Sequence, residues 1–369
     1  MRNILLLIFT ALISVPTLGS PSPEAQALIE QLSLREGPTP VRSHPNWAPK
    51  KIVVAMPAQL VQAVPGYKDA LLAAAGDVPL TFVTGESVSA ELADADALIG
   101  ICRPQLIEAA SDSLLWVHNW SAGVDRCPME AFDNRVLSNS KRLMGPAIAE
   151  HTIAMLLALS RNLPLLVAAQ QDGQWLGGAA RNMPFGELEG KTMLVVGLGG
   201  IGTEIARRGH ALGMQITATR NSSRTGPDFV KYVGLGDELH KLAGEADVIV
   251  NALPLTPATT GLFNKAFFDA AKPGAMFLSI GRGKSTDTDA LMAALESGQI
   301  YGAGLDVTDP EPLPADHPLW KMDNVIITPH LSASGAGTIK RVSIVTIENL
   351  RRYVAGDALL NVVNTQAGY

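Results

Sequence analysis

The chain has 369 residues, more than one compact hydrophobic core usually holds, so two domains are expected. Hydrophobic residues make up 47% of the sequence and charged residues 17%, a composition that excludes an intrinsically disordered protein. The net charge of −6 and the lack of a basic stripe argue against a nucleic-acid partner. No cysteine spacing matches a metal site, and no bound metal is expected.

The N-terminal residues have the composition of a signal peptide. An apolar run, Ile4–Val15, follows a positive side chain and is too short to span a bilayer comfortably. Small residues suited to cleavage follow, either near Ser20 or at Ala25-Gln26-Ala27. We therefore expect residues 1–27 to be removed and the protein to be exported to the periplasm, with no stable membrane span after cleavage. A retained N-terminus, as a buried helix or an interfacial anchor, is the alternative and would leave the protein in the cytoplasm.

A first series of short strands follows a linker. Residues 28–49 belong to a stretch rich in proline and serine, which predicts the linker. Short apolar runs separated by helix-like segments come next, and this alternation is typical of a parallel sheet covered by helices. The runs expected to form strands are Lys51–Met56, Leu80–Val83, Ala97–Ile101, Leu114–Trp120 and Arg135–Ser138.

A long apolar helix is expected from Gly145-Pro146 to Asn162, because proline is tolerated in the first turn. A second series of strands then follows, at Met193–Gly197, Gln215–Thr219, Asp247–Ala252, Met276–Ile280, Gly302–Val307 and Val325–Thr328. A last helix is expected over about Ser334–Ala355, ending near Gly356. If this helix packs on the first domain, the second domain is an insertion.

The two cysteines, Cys102 and Cys127, are too few for a disulfide framework. We expect two unpaired thiols. A single bridge in an oxidising compartment is the alternative.

A glycine-rich turn stands between a predicted strand and a predicted helix. Gly197, Gly199 and Gly202 form G-L-G-G-I-G, the fingerprint of a dinucleotide-binding domain. The first glycine permits a tight turn, the second lets the backbone approach a pyrophosphate, and the third lets helix and strand pack closely. Gly200 and Ile201 complete the turn, where N–H groups at the positive end of the helix would bind the phosphates.

The residue that usually distinguishes NAD from NADP is an arginine in this chain. Arg220 lies eighteen residues after the last of these glycines, where an NAD site usually has an acid that binds the ribose 2′-hydroxyl. A guanidinium would instead bind a 2′-phosphate with paired donors. Asn221 and Arg224 are close by, and no acid follows until Asp228. The loop therefore favours NADP, with NAD beside a solvated arginine as the alternative.

Three strand-like runs of the second series are followed by polar residues, Arg282, Asp306 and His330, and Glu311 lies in a proline-rich loop between the last two. Ligands of open parallel sheets bind beyond the carboxyl ends of the strands. Arg282 would bind a substrate carboxylate and polarise the adjacent carbonyl. His330 would act as general acid or base, and Glu311 would hold its other nitrogen and favour the imidazolium form. Each residue alone is as often structural, but together they favour a hydride-transfer site.

Several motifs in register resemble one enzyme family. The runs are GLGGIG, LPLTPATTGLFN, GRGKSTDTDAL, GLDVTDPEPLP, HPLW and NVIITPHLS, and they resemble the D-isomer-specific 2-hydroxyacid dehydrogenases. The resemblance covers roughly residues 50–360. It implies an α/β fold of two domains, with a Rossmann-type dinucleotide-binding domain (residues 145–330 with the linking helix) inserted in a flavodoxin-like substrate domain (residues 50–144 and 331–369). It also implies an active site in a cleft closed by hinge motion, and a homodimer formed through the linking-helix region.

The resemblance further implies the roles of individual residues. Arg282, Glu311 and His330 match the family's catalytic arginine, glutamate and histidine, and Asp306 matches the acid near the nicotinamide amide. An amide side chain in place of Glu311 would have indicated formate oxidation, so that reaction is disfavoured.

Other positions match the family's binding loops. Pro254 and Thr256 lie where the family's loop passes the cofactor, and Gly281 stands where the family usually has Ser, Asn or Ala. Gly100 and Ile101 fall where family members offer backbone donors to the substrate carboxylate.

Together these features predict an oxidoreductase that transfers a hydride between NADP(H), or alternatively NAD(H), and a small 2-keto or D-2-hydroxy acid. The loop at 220–224 resembles that of the NADP-using glyoxylate and hydroxypyruvate reductases. The alternative from another class is an exported or regulatory dinucleotide-binding protein without turnover.

Overall fold

The computed structural model describes residues 19–56, 63–85, 87–178, 186–221 and 223–368. The apolar run of the expected signal peptide lies outside these residues. Among the described residues, those up to Leu143 and those from Gly335 form one compact unit, the first unit. Met144–Ser334 form the other, the second unit.

Eleven α-helices occur among the described residues. They are α1 Pro23–Gln31, α2 Tyr67–Ala75, α3 Ser87–Glu91, α4 Pro104–Ala109, α5 Gly145–Ser160, α6 Leu163–Gln171, α7 Gly200–Ala211, α8 Leu239–Glu245, α9 Lys265–Ala270, α10 Thr288–Glu296 and α11 Ala336–Ala355. The first unit contains α1 to α4 and α11, and the second contains α5 to α10.

The first unit is built on a five-stranded parallel sheet. Its strands are β1 Ile52–Ala55, β2 Leu80–Val83, β3 Ala97–Gly100, β4 Trp116–Asn119 and β5 Val136–Asn139. Their order, β2-β1-β3-β4-β5, is that of flavodoxin-like folds. Ile52 and Val54 pack into one hydrophobic cluster and Val53 into another, so both faces of β1 are covered. Burial on both faces explains why these strands are nearly continuous apolar runs.

The C-terminal helix α11 belongs to this first unit. Its Tyr353 ring stacks on Trp116 of β4, with ring centroids 4.8 Å apart. Thr346 of α11 also reaches His118 of β4, where Oγ1 lies 3.1 Å from Nε2. The C-terminal helix therefore contributes to the hydrophobic core of the five-stranded sheet.

The segment expected to be a linker is packed in the structure. Ser22 caps α1 by accepting a hydrogen bond from the Ala25 N–H (3.1 Å), so α1 includes Ala25-Gln26-Ala27. Leu32 and Leu34 are buried beside α11, and Glu36 pairs with Leu360 in an antiparallel bridge. Residues 28–36 thus differ from the expected linker because their apolar side chains have partners on the first unit.

The second unit is built on a seven-stranded parallel sheet. Its strands are β6 Thr192–Val196, β7 Gln215–Thr219, β8 Val230–Gly234, β9 Val248–Asn251, β10 Ala275–Ser279, β11 Ile300–Leu305 and β12 Val325–Ile327. The order is β12-β11-β10-β9-β6-β7-β8. Read from β8, this is the Rossmann order 3-2-1-4-5-6 with one added strand, and the order reverses between β6 and β9.

The edge strand β8 is absent from the sequence prediction. Its sequence, VKYVG, leaves Lys231 and Tyr232 exposed, so it lacks the apolar run by which the other strands were identified. An edge strand tolerates such exposed polar positions.

The long apolar helix predicted from Gly145-Pro146 to Asn162 is α5, and a second helix, α6, follows it. Asn162 adopts a left-handed conformation (φ 53°) between α5 and α6. α5 lies close to β11, since a Cβ added at Gly304 would be 3.0 Å from Cβ of Met155. None of the described helices alone has the length and apolar composition of a membrane span; the bent pair α5 and α6, at 72°, meets that criterion only jointly, by length and composition.

Cys102 and Cys127 are joined in a disulfide, so the expectation of two unpaired thiols was wrong. Their Cα atoms are 5.3 Å apart, a distance typical of disulfides. The neighbouring parallel strands β3 and β4 bring the two loops together. Spacing along the chain carries no information on that separation.

Candidate active site

The glycine-rich turn follows β6 at the point where the strand order reverses. Gly197 has φ 99°, and a Cβ added at Gly202 would lie 2.2 Å from the carbonyl oxygen of Gly197. Both positions therefore require glycine. A Cβ added at Gly199 would meet no atom of the described residues within 4 Å, so space remains beside the N-terminus of α7. A dinucleotide pyrophosphate fits this turn by charge and by room.

Arg220 is held against this turn. It follows β7, its N–H donates to the carbonyl of Gly234 (3.0 Å), and its Nε donates to the carbonyl of Leu198 (3.0 Å). Arg220, which was predicted from the sequence to bind the cofactor, therefore lies against the glycine turn in the structure. Asn221, the next residue, is exposed.

Arg224 makes a different contact. Its Nη1 lies 2.5 Å from Oε2 of Glu238 and 3.0 Å from the hydroxyl of Tyr232. Hydrogen bonds from Tyr232, then from the Leu235 N–H, and the neighbouring Arg224 lower the pKa of Glu238 to about 2. The acid is therefore ionised at neutral pH, so a carboxylate from the turn after β8 lies beside Arg224, and this carboxylate was not predicted from the sequence.

Arg282, Asp306 and His330 follow three adjacent parallel strands, β10, β11 and β12. Oε1 of Glu311 lies 2.6 Å from Nδ1 of His330, and both side chains are near half exposed. His330 has φ 52°, a left-handed conformation that side chains other than glycine adopt rarely. The structure therefore brings together the two residues expected to form an acid/base pair.

Asp306 organises the loop that carries the histidine. Its buried carboxylate accepts hydrogen bonds from the Thr328 hydroxyl (2.7 Å) and from the N–H groups of Leu331 (2.9 Å) and Ser332 (3.1 Å). Thr328 is in turn 2.9 Å from Nε2 of His151 on α5. The sequence reading missed His151, although a histidine within an apolar helix was the available signal.

The loop of Arg282 is positioned by its backbone. The Ser285 hydroxyl donates to the carbonyl of Arg282 (2.6 Å) and accepts from the side-chain amide of the buried Asn251 (2.7 Å). A Cβ added at Gly283 would lie 1.8 Å from the carbonyl oxygen of Thr308, so only glycine lets these two loops touch. This contact places the Arg282 loop against the loop that leads to Glu311.

The loop after β9 contains two more of the expected cofactor residues. The Thr259 hydroxyl donates to the Pro254 carbonyl (2.7 Å) and accepts from the Thr256 N–H (2.8 Å), which closes the loop on itself. A Cβ added at Gly281 would lie 2.6 Å from the carbonyl oxygen of Leu253. This close approach explains why glycine stands at position 281.

Gly100 and Ile101 lie in the first unit, whereas the residues above lie in the second. Gly100 ends β3, and a Cβ added there would be 2.9 Å from the Cβ of Ala55 on β1. The side chain of Ile101 is exposed. The end of β3 is therefore tightly packed at Gly100, and the chain becomes exposed at the next residue.

A carboxylate bonded to one imidazole nitrogen leaves the other nitrogen to exchange a proton, and a nearby arginine suits an anionic substrate. Within the described part of the chain, no group of three or more His, Cys, Asp or Glu residues could hold a metal ion.

Comparison with known proteins identifies the family. Residues 153–332 match the model of the NAD binding domain of D-isomer specific 2-hydroxyacid dehydrogenases. The glyoxylate reductase/hydroxypyruvate reductase of Mus musculus is 34% identical over 257 residues, covering 69% of this chain and 78% of that protein. The D-3-phosphoglycerate dehydrogenase of Methanocaldococcus jannaschii is 32% identical over 308 residues, covering 81% of this chain and 58% of that protein.

A solved structure agrees with these relatives. The NADPH-dependent glyoxylate/hydroxypyruvate reductase of Sinorhizobium meliloti, in complex with NADP and sulfate, superposes with a TM-score of 0.72 at 26% identity. The alignment covers 87% of this chain and 100% of that chain. The predicted α/β fold with a Rossmann domain and the family resemblance are both confirmed. The chain belongs to the D-isomer specific 2-hydroxyacid dehydrogenase family.

Proposed function

We propose that this dehydrogenase uses NADP(H) to reduce small 2-keto acids of the glyoxylate and hydroxypyruvate kind, or to oxidise the corresponding D-2-hydroxy acids. The observation that carries the proposal is the 2.6 Å contact between His330 and Glu311, beside the strand ends that carry Arg282 and Asp306. The reductases of mouse and Sinorhizobium meliloti support the substrate class.

His330 supplies the proton in the reductive direction. An ionised Glu311 can only accept, so Nδ1 of His330 carries the proton of their shared hydrogen bond. Nε2 is then the nitrogen that gives a proton to the carbonyl oxygen of the substrate, or takes it back in oxidation. Glu311 keeps the ring in place through this hydrogen bond. The nicotinamide, when bound, supplies or accepts the hydride.

Arg282 orients the substrate. Its guanidinium presents paired donors that match a carboxylate, and its charge favours electron density on the adjacent carbonyl oxygen. The hydrogen bond from Ser285 to the carbonyl of Arg282 fixes the backbone from which this side chain extends. A displaced Arg282 would lower the rate, because misplacement by about 1 Å can cost about a hundredfold.

The NADP preference rests on Arg220. Its Nε contact with Leu198 directs the guanidinium to the edge of the glycine turn. There, in the Rossmann fold, the ribose 2′ position is recognised. We expect Arg220→Asp to raise the KM for NADPH and to spare the KM for NADH. Equal effects on both cofactors would show that Arg220 does not bind the 2′-phosphate.

The activity can be tested with purified protein. Oxidation of NADPH and NADH is followed with glyoxylate, hydroxypyruvate, pyruvate, longer 2-keto acids and phosphohydroxypyruvate, the last because of the phosphoglycerate dehydrogenase relative. We expect turnover of the short substrates with NADPH. If the protein binds the cofactor but turns over none of these substrates, the enzyme proposal is wrong and the alternative, a dinucleotide-binding protein without turnover, is supported.

We also propose that two chains form a homodimer through α5 and α6. Leu157, Leu163 and Val167 are exposed there, which is unusual for adjacent large apolar side chains. Light scattering after gel filtration should give twice the chain mass, and a monomer at micromolar concentration would overturn the proposal.

Export is our last proposal about the setting of the enzyme. The apolar run Ile4–Val15 supports it, and a disulfide is typical of oxidising compartments. Cleavage near Ser20 would leave α1 and its buried Ala25 intact, so we favour that site over the one after Ala27. N-terminal sequencing of protein from the native host gives the answer, and an N-terminus at Met1 would contradict export by cleavage.

A further inference from the structure

Three consecutive backbone N–H groups of the loop after β12 bind one residue, Asp306. The N–H of His330 donates to the carbonyl of Asp306 (2.9 Å). The next two N–H groups, those of Leu331 (2.9 Å) and Ser332 (3.1 Å), donate to its buried carboxylate. Successive N–H groups of a turn form a concave site for an anion, and here the anion is a side chain of the second unit itself. These contacts with one acidic residue hold His330 at its φ of 52°.

The orientation of this carboxylate depends on Thr328, the residue directly after β12. The Thr328 hydroxyl donates to Oδ1 of Asp306 (2.7 Å), and a hydroxyl has only one hydrogen. The same oxygen therefore accepts from Nε2 of His151, which lies 2.9 Å away and must carry a hydrogen. The result is a chain of hydrogen bonds with one direction, from the imidazole of His151 through Thr328 to the carboxylate of Asp306.

His151 anchors this chain on a rigid element. It lies on α5, a helix of 16 residues that packs into a hydrophobic core through buried side chains such as Met155 and Leu159. Nε2 of His151 is 3.8 Å from Oδ1 of Asp306, too far for a direct hydrogen bond, so the Thr328 hydroxyl is the connection between them. A group held by a packed helix is positioned more precisely than one held by a loop.

We propose that His151 and Thr328 are positioning residues, which fix the carboxylate of Asp306 and thereby hold the imidazole of His330 in place for proton transfer. This inference rests on the proposed function, in which His330 exchanges a proton with the substrate. Neither residue needs to contact the substrate, because its effect passes through the backbone of residues 330–332. Without the Thr328 hydroxyl, the buried carboxylate loses a donor and the His330 loop loses a constraint on its position.

The test uses two pairs of variants, each of which separates the hydrogen bond from the shape of the side chain. Thr328→Val removes the hydroxyl, whereas Thr328→Ser keeps it. His151→Phe keeps a ring but removes the donor, whereas His151→Gln restores a donor. His240→Phe makes the same change at an exposed imidazole of α8, which has no part in the chain, and serves as the control.

The kcat for glyoxylate with NADPH should fall by about a hundredfold in Thr328→Val, because a misplacement of about 1 Å has an effect of this size. His151→Phe should lower it by about tenfold, since Thr328 still donates to Asp306 but is free to rotate. Thr328→Ser and His151→Gln should recover most of the rate. The solvent deuterium isotope effect on kcat should rise in the two impaired variants, because proton transfer becomes slower. The dissociation constant of NADPH should change by less than about twofold, as expected for a loss confined to the chemical step.

A chain of purely structural importance would give a different result. Thr328→Val and His151→Phe would then lower the melting temperature and leave the kcat and the isotope effect unchanged, which would overturn the inference. Equal kcat values for Thr328→Val and Thr328→Ser would also overturn it, because only the second keeps the hydroxyl. If Thr328→Val does not fold, the comparison of His151→Phe with His151→Gln decides in the same way.

Failure of the proposed function gives a separate signal. If wild type turns over no 2-keto acid, the proposed function is wrong, and amide hydrogen exchange then tests the positioning of the loop. The amides of Leu331 and Ser332 should exchange about tenfold faster in Thr328→Val than in Thr328→Ser, since their acceptor is less well held. Equal exchange in the two variants would refute the positioning role.

Discussion

Lowering the pH from 7 to 5 should destabilise the protein by about 2 kcal/mol through one buried imidazole, that of His118 on β4. Its Nε2 lies 3.1 Å from Thr346 Oγ1, which donates to the carbonyl of Val342 and so accepts from Nε2–H. Its Nδ1 lies 2.8 Å from Ser138 Oγ, which accepts from the indole N–H of Trp116 and so donates to Nδ1. The neutral ring is satisfied on both sides, and a second ring proton would meet a donor.

Burial lowers the pKa of His118 to about 3, whereas an unfolded chain has a histidine pKa of about 6.5. Between these values the unfolded state binds a proton that the folded state does not. The free energy of unfolding therefore falls as the pH falls, by up to about 1.4 kcal/mol per pH unit. Because the unfolded histidine is only partly protonated near its own pKa, the step from pH 7 to pH 5 amounts to about 2 kcal/mol.

Urea unfolding at pH 7, 6 and 5 measures the effect, with hydrogen exchange of the β4 amides to assign the transition to the first unit. His118→Gln keeps a donor and an acceptor but does not titrate in this range. The variant should therefore lack the loss of about 2 kcal/mol in the free energy of unfolding that the wild type shows between pH 7 and pH 5. His240→Gln changes an exposed imidazole and should behave as the wild type. Equal acid sensitivity of wild type and His118→Gln would refute the reasoning.

Three further predictions concern the second unit. Gly202→Ala should abolish binding of NADPH in a fluorescence titration, because the added Cβ would lie 2.2 Å from the carbonyl oxygen of Gly197; near-normal affinity would contradict the role of the turn. His330→Ala should lower kcat by orders of magnitude and Glu311→Gln by about a hundredfold with cofactor affinity unchanged, and near-normal rates would remove the pair from proton transfer. Glu238→Gln should lower the KM for NADPH but not for NADH, since it removes a carboxylate with a pKa of about 2 and releases the arginine it binds; an unchanged ratio would place that carboxylate away from the ribose.

Strands with a continuous apolar run were predictable from sequence. The apolar runs predicted at Ala97–Ile101 and Met276–Ile280 contain β3 and most of β10, because strands buried on both faces need nearly uninterrupted hydrophobic residues. β8 was not predictable in this way, since its exposed Lys231 and Tyr232 interrupt the pattern. The short helix α6 after Asn162 was also not predicted, although its sequence is apolar.

The candidate site was predictable where residues are close in sequence or belong to a motif. The glycine turn and the Glu311–His330 pair are of this kind, and the structure brings the pair to 2.6 Å. Contacts between distant segments were not predictable. Examples are the approach of Gly283 to Thr308 and the hydrogen bond between His151 and Thr328, which depend on how strands are ordered in the sheet.

The two-part construction of the first unit has a consequence for its biosynthesis. Trp116 and its sheet leave the ribosome long before Tyr353, the residue that covers it. At about 5–20 residues per second, the wait is on the order of ten to forty seconds. The second unit is one contiguous segment, so its folding does not depend on synthesis of α11. A nascent chain arrested after Ser334 should therefore resist protease within the second unit and be cut within the first, and protection of both would show that α11 is dispensable for the first.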